Sequence, residues 1–156
     1  MIDIEFKTAV IEFDKFDCWR YTKKVPFRWD YPHSHIKYHD CMWTGQVDRN
    51  GDKIYEMDVR REEIEHERGD QREYYVCIWI KEWSRFAWLH LPGEYQSYQD
   101  HGVSKLDHSM QETFGIFENE SSTTIICGNL LENPDLVETA RKNEELNMKD
   151  LLDDEI

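Results

Sequence analysis

The segment from Pro32 to Cys41 concentrates side chains that could bind a metal ion. It holds three His, one Asp and one Cys within ten residues, and the candidate ligands are His33, His35, His39 and Cys41. Imidazole nitrogen and thiolate sulfur are donors that zinc favours. Alternate residues of a strand lie on one side, so the first two His would form one pair, and His39 with Cys41 a second.

One ion could take both pairs only if the chain reversed direction between them. On a continuous strand the outermost candidates would lie roughly 26 Å apart, at ~3.3 Å per residue. The connecting Ile36-Lys37-Tyr38 contains no Gly, Pro or Asn to indicate a turn. The spacing also matches no standard structural zinc motif. We therefore expect no bound metal or other cofactor, and metal binding is the alternative.

The sequence offers no recognisable catalytic residues. It contains no Gly-x-Ser-x-Gly elbow, no Walker loop and no Gly-x-Gly-x-x-Gly. Adjacent carboxylates such as Glu62-Glu63 and Asp153-Asp154 lie in charge-rich stretches that are typical of an exposed surface, so assigning one of them as a general acid would be arbitrary. A non-enzymatic protein is therefore predicted, and a small metal-dependent enzyme is the least favoured alternative.

Two apolar runs supply candidates for a partner-binding surface. Tyr74–Ile80 and Arg85–Leu91 are rich in β-branched and aromatic residues and predict a hairpin. Alternation gives each strand an aliphatic face and an aromatic face. Because Trp and Tyr dominate interface hot spots, the candidate partner-binding residues are Trp79, Trp83, Phe86 and Trp88. The favoured alternative is a second buried layer covered by the N-terminal aromatics, since large exposed apolar patches are rare.

Two other segments predict the local structure that must position these side chains. Met42–Val59 is typical of two short strands around an Asn50-Gly51 turn, in which both central residues would have positive φ. Cys127–Leu136 is typical of a strand that leads into a helix, with Asn133 as N-cap and Pro134 at the first helical position. The helix is expected to run from Pro134 to about Asn147.

The remaining chain predicts strands and loops. We expect strands over 2–13, 112–117 and 123–127, an irregular aromatic segment over 14–41, a charged loop or strand extension over 60–72, and a long loop over 92–109. Hairpins with one helix predict a mainly β, antiparallel α+β fold. The expected single domain, 1–156, comprises an aromatic-rich meander (1–41), a β-barrel (42–131), and a C-terminal helix with an acidic tail (133–150).

The two motifs together resemble the YopX family of phage and prophage proteins. Members typically carry a "YTGLKDKNGKEIYEGDIV"-like hairpin and a "GNIYENPEL"-like end, and the likeness covers residues 42–60 and 123–137. The positions that match as structural residues are Thr44, Gly45, Asn50, Gly51, Tyr55, Asp58, Gly128, Asn129, Asn133 and Pro134. The resemblance implies an SH3-like, partly open barrel with an N-terminal meander, and no established activity. Met57 stands where the family pattern has Gly, so Met would be strained if that position has positive φ.

The resemblance implies a phage or prophage accessory protein that acts through protein–protein contacts in the cytoplasm of its bacterial host. Its partner would be an unidentified host or phage protein. No stretch approaches the ~20 apolar residues of a membrane helix, and the start lacks the features of a secretory signal. The four dispersed cysteines are expected to be reduced, with Cys77 and Cys127 buried in apolar strands. Oligomeric state stays open, because sheet edges can pair between subunits.

The charge supports a different function. A net charge of −14 argues against direct nucleic-acid binding, which relies on clustered Lys and Arg. The alternative function is a nucleic-acid mimic, whose carboxylates would occupy the binding cleft of a host restriction or CRISPR protein. An acidic surface that only favours solubility is the simpler interpretation.

Overall fold

The computed structural model describes residues 4–30, 35–64, 71–106 and 124–153. Within them the chain forms two four-stranded antiparallel sheets and two α-helices. The prediction of a β-rich, antiparallel α+β fold with a partly open barrel is therefore confirmed.

The first sheet has the strand order β2-β1-β3-β4. Its strands are β1 (Glu5–Glu12), β2 (Lys15–Lys23), β3 (Ile36–Val47) and β4 (Lys53–Tyr55). Residues 14–41 were expected to be irregular, but β2 and the first half of β3 occupy much of this segment. The strand β2 escaped detection because its residues are largely exposed or half-buried, so it lacks strict alternation. The long strand β3 runs unbroken across position 41, pairing with β1 and then with β4.

The second sheet has the order β7-β6-β5-β8. Its strands are β5 (Asp58–Ile64), β6 (Gln71–Ile80), β7 (Arg85–His90) and β8 (Ile126–Asn129). The predicted 74–91 hairpin is confirmed, with Ile78 opposite Ala87. The charged 60–72 segment continues the β5–β6 ladder on both sides of 65–70. The strand predicted over 123–127 begins later, at Ile126, and the one predicted over 112–117 lies outside the described residues.

The hairpin turn after β3 differs from the prediction. Gly51 has a positive φ of 84°, but Asn50 does not. Asp48 organises the turn, since its Oδ1 accepts hydrogen bonds from the backbone N–H groups of Asn50 (2.9 Å) and Asp52 (3.0 Å). The loop therefore needs one left-handed residue, as in hairpins that place a Gly after a type I turn.

A helix replaces most of the predicted 92–109 loop. Helix α1 (Gly93–His101) continues into a 3-10 helix (Gly102–Lys105). Leu91, Tyr95 and Tyr98 are spaced four and three residues apart, and all three pack in or against the main core. This apolar stripe is narrow and the intervening residues are polar, so the segment looked like a loop. Residues 107–109 lie outside the described residues.

Helix α2 spans Leu136–Asp153, so it begins later and ends later than predicted. Asn133 does not cap it with its side chain as expected; its Oδ1 instead accepts from the backbone N–H of Asn129 (3.4 Å). The predicted apolar stripe docks α2 on the protein, because Ala140 is buried and Leu136 and Val137 pack against the core.

The main core lies under the aliphatic face of the second sheet and reaches the first sheet. Its buried residues include Val76, Ile78, Ile80, Ala87 and Leu89 from the sheet, Leu91, Leu106 and Leu130 from the connections, and Cys41, Tyr55 and Met57 from the first hairpin. One core therefore joins both sheets and fixes the depressions between them.

Candidate functional site

The predicted aromatic face of the β6–β7 hairpin is largely buried. Trp88 is only 2% exposed and packs with Cys77 and Ile54 in a second apolar cluster. The expectation that Trp88 lies on a partner-binding surface is therefore wrong. The alternative of a second buried layer describes this region better, although Ile54 of β4 and Ile126 of β8 contribute to its cover where N-terminal aromatics were expected.

The other three aromatic candidates separate into two places. Trp83 is half-buried against the main core, with the Arg85 guanidinium 5.3 Å from its ring centroid. Trp79 is 36% exposed, and its ring lies edge-on to Phe86 with centroids 5.0 Å apart. We call Trp79 and Phe86 the exposed aromatic pair. Only Trp79 is exposed, and Phe86 is half-buried, packing against both Trp79 and the second apolar cluster.

A groove of about 470 Å³ lies beside Trp79, where β3, the end of β6 and α1 meet. We call it the aromatic groove; its lining includes His39, Glu56, Trp79, Glu82, Tyr95 and Tyr98. Burial raises the pKa of Tyr95, and it also raises the pKa of Tyr98, which is less deeply buried. Both phenols therefore stay protonated at neutral pH. The groove thus combines aromatic walls with two carboxylates.

The four predicted metal-ligand candidates do not converge. His35 directly precedes β3, and its side chain stacks on Phe13 with ring centroids 4.4 Å apart. Because β3 continues without a reversal, His35 cannot join His39 and Cys41 around one ion. His33 lies outside the described residues. The expected pairing of His39 with Cys41 on one side of the strand is present.

Glu56 completes a cluster that the spacing of His and Cys did not indicate. One potential ligand atom from each of His39, Cys41 and Glu56 lies within 4.8 Å of the other two. Glu56 reaches this position because its backbone N–H donates to the carbonyl of Met42 (3.1 Å), next to Cys41 on β3. The register of the predicted hairpin was the signal that could have identified it.

The environment of this cluster opposes negative charge. Burial raises the pKa of the Cys41 thiol above its ordinary value, and nearby carboxylates, led by Glu56, add to the rise. Burial likewise raises the pKa of Glu56, although a hydrogen bond from the Trp79 backbone and the nearby His39 partly offset it. Without a bound cation, the cluster holds two weak acids whose ionised forms are disfavoured.

Several positions of the family motif line a larger depression, the polar cleft, of about 760 Å³. Its lining includes Lys7, Tyr55, Asp58, Gly128, Asn129 and Glu132. The buried Asp58 carboxylate accepts from Lys7 Nζ (2.9 Å), Asn129 Nδ2 (2.9 Å) and the Tyr55 backbone N–H (2.8 Å). Lys7 also lies 4.4 Å from the Trp19 ring centroid. These contacts tie β1, β5 and β8 together, so the cleft has the chemistry of a structural joint.

Other motif positions shape the backbone. Thr44 Oγ1 donates to the carbonyl of Ile54 (2.8 Å), and Gly45 has a positive φ of 87°. A Cβ atom on Gly128 would lie 2.9 Å from Leu136 Cδ1 and 3.0 Å from Asn133 Oδ1. Gly128 is therefore needed for the close approach of β8 to the start of α2, in the turn that contains Pro134.

Met57 has a positive φ of 72°. The YopX pattern has Gly at this position, and Gly adopts such an angle without strain. This left-handed conformation costs a residue with a Cβ roughly 1–2 kcal/mol. The Met57 side chain is buried in the main core, which offsets that cost. The departure from the family pattern thus coincides with a strained but well-packed residue.

The described cysteines are all free thiols, but they differ in burial. Cys41 and Cys77 are buried, whereas Cys127 is exposed on the short strand β8. The expectation that Cys127 is buried is wrong, because a four-residue strand with one neighbour leaves it uncovered. Among the described residues, no helix is long and apolar enough to cross a membrane.

The chain was compared with known families and proteins. No family model matches it, and no curated protein is similar to it in sequence. The resemblance to YopX therefore depends on the motifs at 42–60 and 123–137 and stays a prediction.

Proposed function

We propose that this chain is a non-enzymatic accessory protein, encoded by a phage or prophage, that binds a partner protein in the cytoplasm of a bacterial host. The two YopX-like motifs support the genomic setting. The observation that carries the binding proposal is the exposed aromatic pair beside the aromatic groove. Trp79 belongs to both, because it also lines the groove.

The exposed aromatic pair has the chemistry of an interface anchor. Trp79 keeps about a third of its surface exposed although its ring is braced by Phe86. A braced indole loses little conformational entropy on binding, so its burial by a partner is favourable. Hot-spot residues of this kind cost about 2 kcal/mol or more when truncated, which is roughly 30-fold in affinity.

The groove next to the pair indicates what the partner would insert. Tyr95 and Tyr98 supply aromatic walls, and Glu56 and Glu82 supply carboxylates. An extended segment with an apolar or aromatic residue next to Lys or Arg would complement these walls. The partner is therefore proposed to be a host or phage protein that presents such a segment.

The test is affinity capture from bacterial lysate, with identification of bound proteins by mass spectrometry. Trp79→Ala and Phe86→Ala should each remove the specific partner. Trp29→Ala is the matched control, because Trp29 is a similarly exposed indole outside the pair. A partner retained by both pair variants, or lost equally with Trp29→Ala, would contradict the proposal.

The acidic mimic is the competing function, and salt separates the two. Along α2 the exposed carboxylates alternate with bases, and Glu138 forms an ion pair with Arg141. A mimic should lose its partner steeply between low and moderate salt and should compete with DNA. Binding through the exposed aromatic pair should weaken only modestly with salt, through the contacts of the groove carboxylates, and should not be displaced by DNA.

A further inference from the structure

The His39–Cys41–Glu56 cluster is built by three backbone constraints. Alternation along β3 places His39 and Cys41 on one side of the strand. The first hairpin brings Glu56 back beside them, and the Glu56 Oε2 atom accepts from the Trp79 backbone N–H (3.0 Å). This hydrogen bond orients the Glu56 carboxylate, as hydrogen bonds to metal-ligating side chains commonly do.

The donor set matches a particular class of cation. One imidazole nitrogen, one thiol sulfur and one carboxylate oxygen are the mixed ligands of zinc and its transition-metal neighbours. A tetrahedral ion with bonds of about 2.0–2.3 Å would hold its ligand atoms about 3.3–3.8 Å apart. The three atoms already lie within 4.8 Å of one another, so each pair of ligand atoms must approach by at most about 1–1.5 Å.

The cluster also has a route for entry. Cys41 is buried and does not itself line the aromatic groove. His39 and Glu56 are half-buried and line it, and their ligand atoms lie within 4.8 Å of the Cys41 sulfur. An ion could therefore reach the sulfur from the groove side. Three protein ligands with an open side are the arrangement in which a fourth position is left for water or another ligand.

We propose that His39, Cys41 and Glu56 bind one divalent transition-metal ion of the zinc class, with the fourth coordination position open to the aromatic groove. A dication would favour the thiolate and carboxylate that burial otherwise disfavours. The proposal does not depend on the proposed function, since all three ligands belong to this chain.

The experiment uses the full chain without an oligohistidine tag, made metal-free with a chelator and kept reduced. Cobalt(II) is the probe, because a cobalt–thiolate bond gives a charge-transfer absorption band. One equivalent of Co²⁺ should produce the band, and one equivalent of Zn²⁺ should abolish it. Cys41→Ser should remove the band, while His39→Ala and Glu56→Gln should weaken Co²⁺ binding by roughly 100-fold or more, beyond the usual effect of an outer-shell change.

Matched controls use the same residue types outside the cluster. Cys127→Ser and His35→Ala should leave the band and its stoichiometry unchanged. Circular dichroism checks that each variant folds. If Cys41→Ser fails to fold, the Co²⁺ affinity of Glu56→Gln is used to test the proposal instead. The proposal is overturned if the wild-type chain binds neither ion at micromolar concentrations. It is also overturned if the band persists in Cys41→Ser, or if it disappears in Cys127→Ser.

Discussion

The polar cleft and the aromatic groove both lie between the two sheets, but their ionisable groups are arranged in opposite ways. In the cleft both lysines have a carboxylate partner: Lys7 pairs with Asp58, and Lys53 pairs with Glu5. In the groove, Glu56 and the underlying Cys41 are both acids, and burial raises the pKa of each. The buried Lys7–Asp58 pair of the larger depression is thus already satisfied, whereas the smaller depression offers unpaired acids as metal donors.

This difference shows that volume is a poor guide to function here. Charges that satisfy one another stabilise the fold and leave little interaction for a ligand. Ionisation of buried acids that have no matching cation destabilises the folded protein, and a bound cation would restore that stability. Substitutions in the two depressions should therefore have different consequences.

The largest effect is expected in the polar cleft. Asp58→Ala leaves Lys7 and Asn129 buried without their acceptor, so the free energy of unfolding should fall by about 3–5 kcal/mol. Urea denaturation followed by circular dichroism measures it. Lys37→Ala, which breaks the exposed pair with Asp14, should cost less than about 1 kcal/mol. Equal losses would mean that the cleft is not a joint.

The next effect concerns the turn that carries Glu56. Met57→Gly relieves roughly 1–2 kcal/mol of left-handed strain but removes a buried side chain whose loss costs about 2–5 kcal/mol. The net result should be destabilisation by about 1–3 kcal/mol in urea denaturation. A more stable variant would mean that strain outweighs packing at this turn.

A smaller effect is expected at the contact between β8 and α2. Gly128→Ala introduces a Cβ at 2.9 Å from Leu136 Cδ1, so one of them must move, at a cost of about 1–2 kcal/mol. Gly93→Ala is the control, because a Cβ there meets no atom within 4 Å. Thermal unfolding should show a lower midpoint for the first variant alone. Matching midpoints would show that the contact relaxes freely.

The smallest effect is expected in the aromatic groove. Burial raises the pKa of Glu56 in the folded state, so the folded state holds the proton more tightly than the unfolded chain. Glu56 therefore reduces stability as pH rises from its ordinary pKa through the raised one. In the metal-free protein, Glu56→Gln should change stability at neutral pH by less than about 1 kcal/mol, towards greater stability.

The pH dependence makes this last prediction sharper. Glu56→Gln should flatten the decline in stability over that acidic range, measured by urea denaturation at several pH values. Glu82→Gln, at an exposed carboxylate of the same groove, should leave the decline as it is. If Glu56→Gln destabilises the protein as much as Asp58→Ala, the contrast between the two depressions fails.

Local patterns predicted the parts of the fold that repeat with a short period. Alternation assigned Ile78 and Leu89 to the core face of the β6–β7 hairpin, and the apolar stripe at Leu136 and Val137 placed α2 against the protein. Helix α1 escaped because Tyr95 and Tyr98 form too narrow a stripe among polar residues. The turn type at Asn50-Gly51 escaped because Asp48 supplies the hydrogen bonds that organise it.

Two of the three residues of the His39–Cys41–Glu56 cluster could be predicted from local sequence patterns, and the third could not. His39 and Cys41 share a face by alternation, which is a local property. Glu56 joins them through a pairing of strands, and Trp88 is buried by residues from β4 and β8 that are distant in sequence. Patterns within one segment do not reveal what another segment will cover or complete.

The hydrogen bond from the Trp79 backbone to Glu56 joins an exposed indole directly to the groove. The fluorescence of Trp79 can therefore report on the groove. Trp79 is exposed at the groove and should emit at long wavelength, whereas the buried Trp88 should emit at shorter wavelength. A paramagnetic ion in the groove would quench the emission of Trp79. The measurement is made in Trp29→Ala, because Trp29 is the other exposed indole among the described residues. Intrinsic fluorescence can therefore report occupancy of this groove without any label.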